Sequence, residues 1–414
     1  IVHLVERELE DGKALEEAFR NTIIRLEGSH AVVLLSNTEP DALYAARMGH
    51  GGGIVVGQGD DEMFIASDIP AILNHTRDMI FLEPGQMARV TGDGAVVSTV
   101  SGEKVDAKLH KVEWDAGAAD KGEYEHFMLK EIYEQPQVAV NTLSGRVDFA
   151  NMEVLLSDID HSVEDLARYN RMIITACGTA AHAGMVGKIL IEHMARLPVE
   201  IDNASEFRYR NPIVDDKSIV LAISQSGETA DTLAAMAEAK KRGSLLWSIV
   251  NVVGSQAMRS ADGSISMRAG PEIGVASTKA YLAPLLDLYL LALWMGEKRG
   301  TLSDDAKRSA IYDLRRLPEL VAECLRSEQH IIEVAKRLVD VSHCLYLGRG
   351  IHMPTAYEGA LKLKEISYIH AEAYPAGEMK HGPIALIDRE MPVIALVTLP
   401  AGITPGQRIM QGTR

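Results

Sequence analysis

Residues 217–243 read KSIVLAISQSGETADTLAAMAEAKKRG, in which an apolar run, a hydroxyl-rich turn and an alanine-rich helical pattern follow one another directly. The same succession occurs earlier, where RMIITACGTA (171–180) leads into AAHAGMVGKILIEHMARL (180–197). A third buried strand is predicted at SLLWSIVN (244–251). Short apolar runs that alternate with helical patterns are typical of βαβ units. This part of the chain therefore predicts an α/β fold with a doubly wound parallel sheet.

A second copy of this pattern follows about 170 residues later. It comprises a predicted strand in CLYLGRGIH (344–352), a helix through PTAYEGALKLKEIS (354–367), a glycine-rich segment and a strand in PVIALVT (392–398). Residues 301–340, between the copies, have a helical period and are predicted to bridge them. Because the pattern ends after this second strand, we expect the second sheet to be incomplete.

The first hundred residues have a different character. Short runs of alternating apolar and polar residues, such as HAVVLLSN (30–37) and GGIVVGQG (52–59), are separated by Gly-Asp and Pro-Gly turns. This pattern predicts strand-rich structure. Residues 116–150 then predict an amphipathic helix that ends before Pro136. We expect this segment to connect two domains.

The composition of the 414-residue chain excludes several classes of function. Its formal net charge of −16 repels a nucleic acid backbone or an anionic membrane surface. The most apolar stretch, residues 280–295, is interrupted by Pro284 and Asp287 and is too short and polar to span a bilayer. The three cysteines have no CxxC spacing, which is typical of a reducing compartment and of a chain without a zinc site. We therefore expect a cytoplasmic globular protein with no metal, no cofactor, no nucleic acid partner and no membrane contact.

The turn at residues 224–229, Ser-Gln-Ser-Gly-Glu-Thr, lies between a predicted strand and a predicted helix. Hydroxyl groups at the N-terminal end of a helix can hold a phosphate dianion, because the free N–H groups and the helix dipole both favour negative charge. The alternative is that Ser and Thr merely cap the helix. Hydroxyls at three of the six positions, with Gly227 for close approach, favour phosphate. The corresponding second-copy loop, residues 398–401, lacks these hydroxyls, so one phosphate site per chain is expected.

The turn after the first strand carries Cys177, Gly178 and Thr179. Open α/β sheets bind ligands at the carboxyl ends of their strands, so Thr179 is placed to donate to a sugar hydroxyl. Cys177 has no basic neighbour in sequence and is predicted to be a packed thiol rather than a nucleophile.

Glu358, Lys362 and Glu365 are spaced i, i+4 and i+7, which places them on one face of a predicted helix. A glycine-rich loop that carries His381 follows closely. A carboxylate and an imidazole near a phosphosugar can enolise it, one moving a proton between C1 and C2 and the other opening the ring. The alternative is an ordinary solvated helix face, and the pattern alone leaves both open.

Six motifs together resemble one family, the glutamine–fructose-6-phosphate aminotransferases, which make glucosamine 6-phosphate. The motifs are CGT (177–179), ASEFRYR (204–210), SQSGETADTL (224–233), EIGVASTKA (272–280), EGALKLKEISYIHAEAY (358–374) and GEMKHGP (377–383). The resemblance extends from residue 1 to about residue 398. It implies two tandem sugar isomerase (SIS) domains, the second incomplete, preceded by the second half of an N-terminal-nucleophile (class II) glutaminase domain.

The resemblance also suggests where each domain begins and ends. The implied boundaries are 1–115 for the partial glutaminase domain, 116–160 for the connector, 161–302 for the phosphate-binding first SIS domain, 303–335 for the helical bridge and 336–414 for the second SIS domain.

Residue roles follow from the resemblance where the motifs match. The residues implied in binding fructose 6-phosphate or glucosamine 6-phosphate are Thr179, Ser224, Gln225, Ser226, Thr229 and the backbone of Val275. Glu365 is implied as the base that moves the proton between C1 and C2, supported by Lys362. His381 is implied in ring opening, and the family supplies it from the neighbouring subunit, which implies a homodimer.

The chain departs from the family pattern in three places. Ala180 stands where members usually have a serine, the lysine-bearing family tail would lie beyond Arg414, and Ile1 stands where the glutaminase needs its cysteine nucleophile. Residues 1–115 resemble only the second half of that domain, and no cysteine precedes Cys177. We therefore expect this polypeptide not to hydrolyse glutamine.

Two other functions compete with the transaminase hypothesis. A non-catalytic phosphosugar-binding module that senses amino sugars would have no need of Glu365 with His381. A glutamine-independent isomerase or deaminase of glucosamine 6-phosphate would use free ammonia and have no need of a partial glutaminase domain.

Overall fold

The computed structural model describes residues 1–112, 120–159 and 161–398, and the start of the predicted connector and the second-copy loop after Thr398 lie outside these ranges. The N-terminal region consists of two helices followed by short strands. In chain order these are α1 (Val2–Glu10), α2 (Leu15–Arg25), β1 (His30–Leu35), β2 (Ala42–Met48), β3 (Val55–Gln58), β4 (Met63–Ala66), β5 (Asp78–Phe81), β6 (Gln86–Thr91), β7 (Gly94–Thr99), β8 (Lys104–Val105) and β9 (His110–Lys111).

The N-terminal strands pair antiparallel in two sheets, ordered β1-β2-β6-β7-β8 and β4-β3-β5-β9. The predicted strands at 30–37 and 52–59 are confirmed, but the sequence analysis does not predict the two helices that precede them, α1 and α2. Their apolar residues do recur at helical spacing, with Leu15, Phe19 and Ile23 all buried against β2 and β6. Both helices are rich in charged residues, which make up four of the nine residues of α1, so the helical spacing is easily overlooked in the sequence.

The two antiparallel sheets pack face to face through small and branched residues such as Ala45, Val56 and Leu82. The outer face of the second sheet buries Ile69 and Leu73, from the segment that follows β4. Val252, from the central region of the chain, completes that cluster. The N-terminal region is therefore packed directly against the central region.

The connecting segment contains α3 (Phe127–Tyr133), α4 (Gln135–Leu143), β10 (Val147–Asp148), β11 (Glu153–Val154) and α5 (Val163–Ala167). The predicted helix before Pro136 is confirmed as α3, which ends at Tyr133, but the sequence analysis misses the second helix, α4, whose first turn contains Pro136. A proline there costs nothing, since the N–H groups of the first turn have no intrahelical acceptor.

The central region alternates strands and helices. Its elements are β12 (Arg171–Ala176), α6 (Gly178–Met194), β13 (Val199–Asn203), α7 (Ala204–Phe207), β14 (Ser218–Ser224), α8 (Ala230–Lys241), β15 (Leu245–Val250), α9 (Gln256–Ser260), β16 (Gly263–Ser266) and α10 (Lys279–Lys298). The predicted doubly wound parallel sheet is confirmed, with the strand order β13-β12-β14-β15-β16. All seven residues of β14 are buried, which explains why its apolar run is unbroken.

The strand order reverses between β12 and β14, since β13 lies to one side of this pair and β15 and β16 lie to the other. Such a switch point leaves a crevice beyond the carboxyl ends of the two strands, where open α/β sheets bind their ligands. The chain that leaves β12 carries Thr179, and the chain that leaves β14 carries residues 224–229. The topology thus brings these two turns together.

Helices cover both faces of the central sheet. The core on one face includes residues of α4, α6, α10 and the following helix, and the core on the other includes residues of α7, α8 and α9. Asp287, which interrupts the apolar pattern of α10, is fully buried and pairs with Arg146 of the connector at 2.8 Å. No helix within the described ranges combines the length and apolarity needed to cross a membrane.

The last region begins with two helices and ends in a second sheet. Its elements are α11 (Asp304–Leu325), α12 (Glu328–Ala335), β17 (His343–Gly348), α13 (His352–Ser367), β18 (His370–Pro375) and β19 (Val393–Ala395). The strands pair in parallel in the order β18-β17-β19, which matches the order β13-β12-β14 of the first sheet.

The expectation of an incomplete second sheet is confirmed within the described residues, where this sheet has three strands and the first has five, but the sequence analysis misses one of the three, β18. Only one of its six residues is buried, so its sequence, HAEAYP, lacks the apolar run that reveals a central strand. The central region shows the same limit, since its edge strands β13 and β16 are also absent from the sequence prediction.

Candidate active site

Residues 224–229 form a tight turn between the end of β14 and the start of α8. The Ser224 hydroxyl accepts a hydrogen bond from the Gly227 N–H at 3.0 Å and lies 3.0 Å from the Thr229 hydroxyl. The Ser226 hydroxyl accepts from the Glu228 N–H at 3.2 Å. Gly227 has φ +66°, and a Cβ there would lie 2.5 Å from Cβ of Ser255, so this position requires glycine. The turn thereby gathers three hydroxyls on a short arc.

This turn borders a cavity of about 170 Å³ at the switch point of the central sheet. The residues that line it are Cys177, Thr179, Ala180, Ile223, Ser224, Gln225, Ser226, Thr229, Thr232, Met267, Ser277 and Ala280. Five of the six residues proposed for substrate binding therefore share one cavity. The side chain of Val275 is fully exposed and does not line this cavity, and the contact proposed for its backbone remains a prediction.

Two long helices, α6 and α8, begin at this cavity. Thr229 is the N-cap residue of α8, yet its side chain accepts no hydrogen bond from the first turn of that helix. The Cys177 N-cap of α6 likewise makes no side-chain capping bond. Thr229 therefore does not act as a simple helix cap, whereas Ser224 and Ser226 accept N–H groups within the turn. The positive ends of both helix dipoles favour an anion in the cavity.

The loop that carries Val275 is held by the partly buried carboxylate of Glu272 and the buried carboxylate of Glu131. Glu272 accepts hydrogen bonds from the Thr278 N–H at 2.8 Å and the Ala280 N–H at 3.1 Å. Glu131 accepts from the Ile273 N–H at 2.6 Å and the Gly274 N–H at 2.9 Å. These bonds fix the loop whose Ser277 end lines the cavity.

Helix α13 brings a charged network to the wall of the cavity. The buried carboxylate of Glu358 accepts a hydrogen bond from the Thr179 hydroxyl at 2.9 Å and contacts His182 Nδ1 at 2.8 Å. Lys362 Nζ lies 3.3 Å from Glu358 and 2.6 Å from Glu365, and it donates to the Thr179 hydroxyl at 3.2 Å. Thr179 therefore connects the cavity to the proposed base Glu365 through Lys362.

His182 was not singled out from sequence, and Glu358 was singled out only for the helix face that it shares with Lys362 and Glu365. The helical spacing of Glu358 with Lys362 was visible, but a carboxylate on a helix face is usually only solvated. Its partner His182 belongs to α6, 176 residues away in sequence. Only the packing of α13 on α6 reveals that this carboxylate is buried and paired.

Burial by itself would raise the pKa of Glu358, but the hydrogen bond from His182, the charge of Lys362 and the hydrogen bond from Thr179 outweigh it and hold the pKa below its ordinary value. The group is therefore a carboxylate at neutral pH, and it stabilises the contact between the two parallel-sheet regions.

This depressed pKa predicts a pH dependence of stability. Because the pKa of Glu358 is lower in the folded than in the unfolded chain, its contribution is fully present above pH 4.5 and is lost as the pH falls below that value. We expect Glu358→Gln to lower the melting temperature clearly at pH 7 and progressively less below pH 4.5. The measurement is thermal unfolding of both proteins at a series of pH values, with the exposed Glu103→Gln as control. A difference that stays constant down to pH 3.5 would refute this role.

His381 lies at the end of a short 3-10 helix, Ala376–His381, with an exposed side chain. Among the residues that the structure describes, no hydrogen bond or ion pair links it to Glu365 or to the cavity. The chain by itself therefore does not bring this proposed pair together.

The remaining cavity residues bear on two further expectations. Burial raises the pKa of the Cys177 thiol, which keeps it protonated at neutral pH and agrees with a packed thiol. Ala180 presents its methyl group to the cavity at the position where the resemblance implies a serine hydroxyl. Within the described ranges, no group of His, Cys, Asp or Glu side chains is placed to hold a metal ion.

Comparisons with known proteins agree on the kind of protein to which this chain is similar. A family model described as SIS domain matches residues 165–294 and 337–400. The chain is 49% identical over 382 residues to a glutamine–fructose-6-phosphate aminotransferase (isomerizing) of Caldanaerobacter subterraneus, covering 92% of this chain and 62% of that protein. It is 47% identical over 403 residues to the protein of the same name from Thermus thermophilus, covering 96% of this chain and 64% of that protein.

A solved structure, the C-terminal domain of glucosamine-fructose-6-phosphate aminotransferase from Francisella tularensis, has a similar fold. It superposes with a TM-score of 0.65 at 42% sequence identity, covering 68% of this chain and 78% of that domain. The chain thus spans less than two thirds of the length of the curated relatives cited above and most of the solved domain.

Proposed function

The chain belongs to the family of isomerizing glutamine–fructose-6-phosphate aminotransferases, and from this premise we propose that its cavity binds fructose 6-phosphate. The proposed reaction of the whole enzyme converts fructose 6-phosphate and glutamine to glucosamine 6-phosphate and glutamate, the first step of amino-sugar synthesis. The part assigned to this chain is the sugar-phosphate isomerisation.

The observation that carries the proposal is the convergence of hydroxyls and helix ends on one cavity. Ser224, Ser226 and Thr229 present their hydroxyls at the N-terminus of α8, and Gln225 lines the same wall. A phosphate dianion there would receive charge-assisted hydrogen bonds, which are roughly twice as strong as neutral ones. A sugar attached to that phosphate would extend toward Thr179, whose hydroxyl already bonds to Glu358 and Lys362.

For the isomerisation we assign Glu365 as the base. Its carboxylate takes a proton from C1 of the open-chain sugar to give an enediolate, a proton passes from O1 to O2, and the protonated base then returns its proton to C2. The carbonyl thereby moves from C2 to C1 and the base is regenerated. Lys362 lies 2.6 Å from Glu365 and is held by Glu358 and Thr179. This fixed ammonium orients the carboxylate and is placed to stabilise negative charge that develops on the sugar oxygen.

We further propose that the protein is a homodimer in which His381 assists ring opening in the site of the neighbouring subunit. The exposure of His381 and its separation from Glu365 within one chain support this assignment. The reducing cytoplasm is the proposed location, supported by three free cysteines.

The proposal predicts that fructose 6-phosphate stabilises the folded chain. A ligand that binds only the native state at 100 times its Kd adds about 2.7 kcal/mol to the free energy of unfolding. We expect a rise in melting temperature that saturates with ligand concentration. The matched control is fructose, which lacks the phosphate and should have little effect at equal concentration. No shift with fructose 6-phosphate, or an equal shift with fructose, would exclude the phosphate site.

A further inference from the structure

The turn at residues 224–229 has a second face that looks away from the cavity. Ser226 lines the phosphosugar cavity and also a small cleft against the N-terminal region, which Arg47 and Glu228 line as well. Glu228 lines the small cleft but does not line the phosphosugar cavity. The turn is therefore a thin wall between the proposed ligand and the N-terminal region.

The side chain of Arg47, on β2, extends from the N-terminal region to the turn at residues 224–229. Its side chain is only 1% exposed, and its Nη2 lies 2.8 Å from Oε2 of Glu228. The same nitrogen donates to Gln256 at 2.5 Å, and Nη1 donates to the Leu82 carbonyl oxygen at 2.8 Å. The other carboxylate oxygen of Glu228 accepts from the Gln256 N–H at 2.8 Å. Both ends of this ion pair are thus held in fixed orientations.

We infer that Arg47 is a positioning residue for the phosphate turn, and that it makes the turn competent to bind a dianion by neutralising and anchoring Glu228. The inference rests on the proposed function. A carboxylate two residues from Ser226, and largely screened from water, would repel a bound phosphate if it were unpaired. Arg47 cancels that charge and ties the Glu228 backbone, whose N–H bonds to Ser226, to the N-terminal region. Phosphosugar binding by the central region then depends on a residue 181 positions away in the other region.

A second arginine contact between the same two regions offers a matched comparison. Arg259 Nε donates to Glu83 at 2.7 Å, and its guanidinium lies 5.5 Å from the centre of the Phe81 ring. No hydrogen bond or ion pair of Arg259 in the described ranges reaches residues 224–229. Loss of this arginine should therefore weaken the interface without changing the phosphate turn.

The test is the Kd of fructose 6-phosphate, measured by calorimetry on the full chain and its variants. We expect Arg47→Met to weaken binding about tenfold, because it leaves Glu228 unpaired beside the ligand. Arg47→Met combined with Glu228→Gln should recover to within about threefold of the parent, since no lone charge remains. Arg259→Met should stay within about twofold of the parent. If Arg47 only held the two regions together, the double variant should bind fructose 6-phosphate more weakly than Arg47→Met, because it loses more contacts.

Each outcome has a distinct meaning. If the parent binds and Arg47→Met binds equally well, the inference is overturned and the proposed function stands. A double variant as weak as the single, or an equal loss in Arg259→Met, also overturns the inference. Failure of the parent to bind overturns the proposed function and the inference with it. If Arg47→Met does not fold, the double variant alone tests the inference. A loss of affinity for fructose 6-phosphate of about tenfold or more in that variant would contradict the role of charge balance.

Discussion

Replacing Glu365 by glutamine, in an enzyme at the full length of the relatives, is expected to lower the rate of glucosamine 6-phosphate formation by roughly 10²–10⁴-fold. Glutamine keeps the size and the acceptor oxygen that faces Lys362, but it cannot take the proton from C1. The affinity for fructose 6-phosphate should stay within about threefold of the parent, because glutamine preserves the size of the side chain and the phosphate contacts at residues 224–229 are unchanged. The measurement is kcat and KM, together with exchange of solvent deuterium into C1 and C2 of the sugar.

The control for this prediction is Glu378→Gln, an exposed carboxylate on the short helix that carries His381. We expect it to leave both kcat and the exchange of deuterium close to the parent values. Unchanged turnover in Glu365→Gln would remove this residue from the base role. Normal binding together with no exchange, even in the parent, would instead favour the non-catalytic sensing module.

The second large effect is expected from Ser226→Ala combined with Thr229→Ala. Each hydroxyl that bonds to a charged phosphate contributes about 1.5–3 kcal/mol, so loss of both should weaken binding by roughly 10²–10⁴-fold. The stabilisation by fructose 6-phosphate should disappear at concentrations that saturate the parent. Because each hydroxyl also makes one hydrogen bond within the turn, the melting temperature of the ligand-free chain should fall only slightly.

A matched pair of hydroxyls exists far from the cavity. Ser36, which is partly exposed, and Thr38, which is exposed, lie in the loop after β1 with their hydroxyl oxygens 2.8 Å apart. The double alanine variant at these positions carries the same chemical change and should keep the full thermal shift. A normal shift in the Ser226/Thr229 variant would contradict the assignment of the phosphate turn.

The strongest agreement between sequence and structure lies in the central sheet. The apolar run of β14 and the hydroxyl turn after it are local patterns, and both occur where the sequence places them. Elements with weaker patterns were missed, namely the edge strands β13, β16 and β18 and the charge-rich helices α1 and α2. Edge strands and surface helices bury only part of their residues, so their apolar periodicity is faint.

Sequence by itself determined the alternation of strands and helices, the hydroxyl turn at 224–229 and the shared helical face of Lys362 and Glu365, because each depends on residues only a few positions apart. Tertiary structure alone decided which distant groups meet. Thr179 bonds to Glu358 across 179 positions, and Arg47 pairs with Glu228 across 181. Such contacts depend on strand order and domain packing, and the residues at their two ends carry no local pattern that points from one to the other.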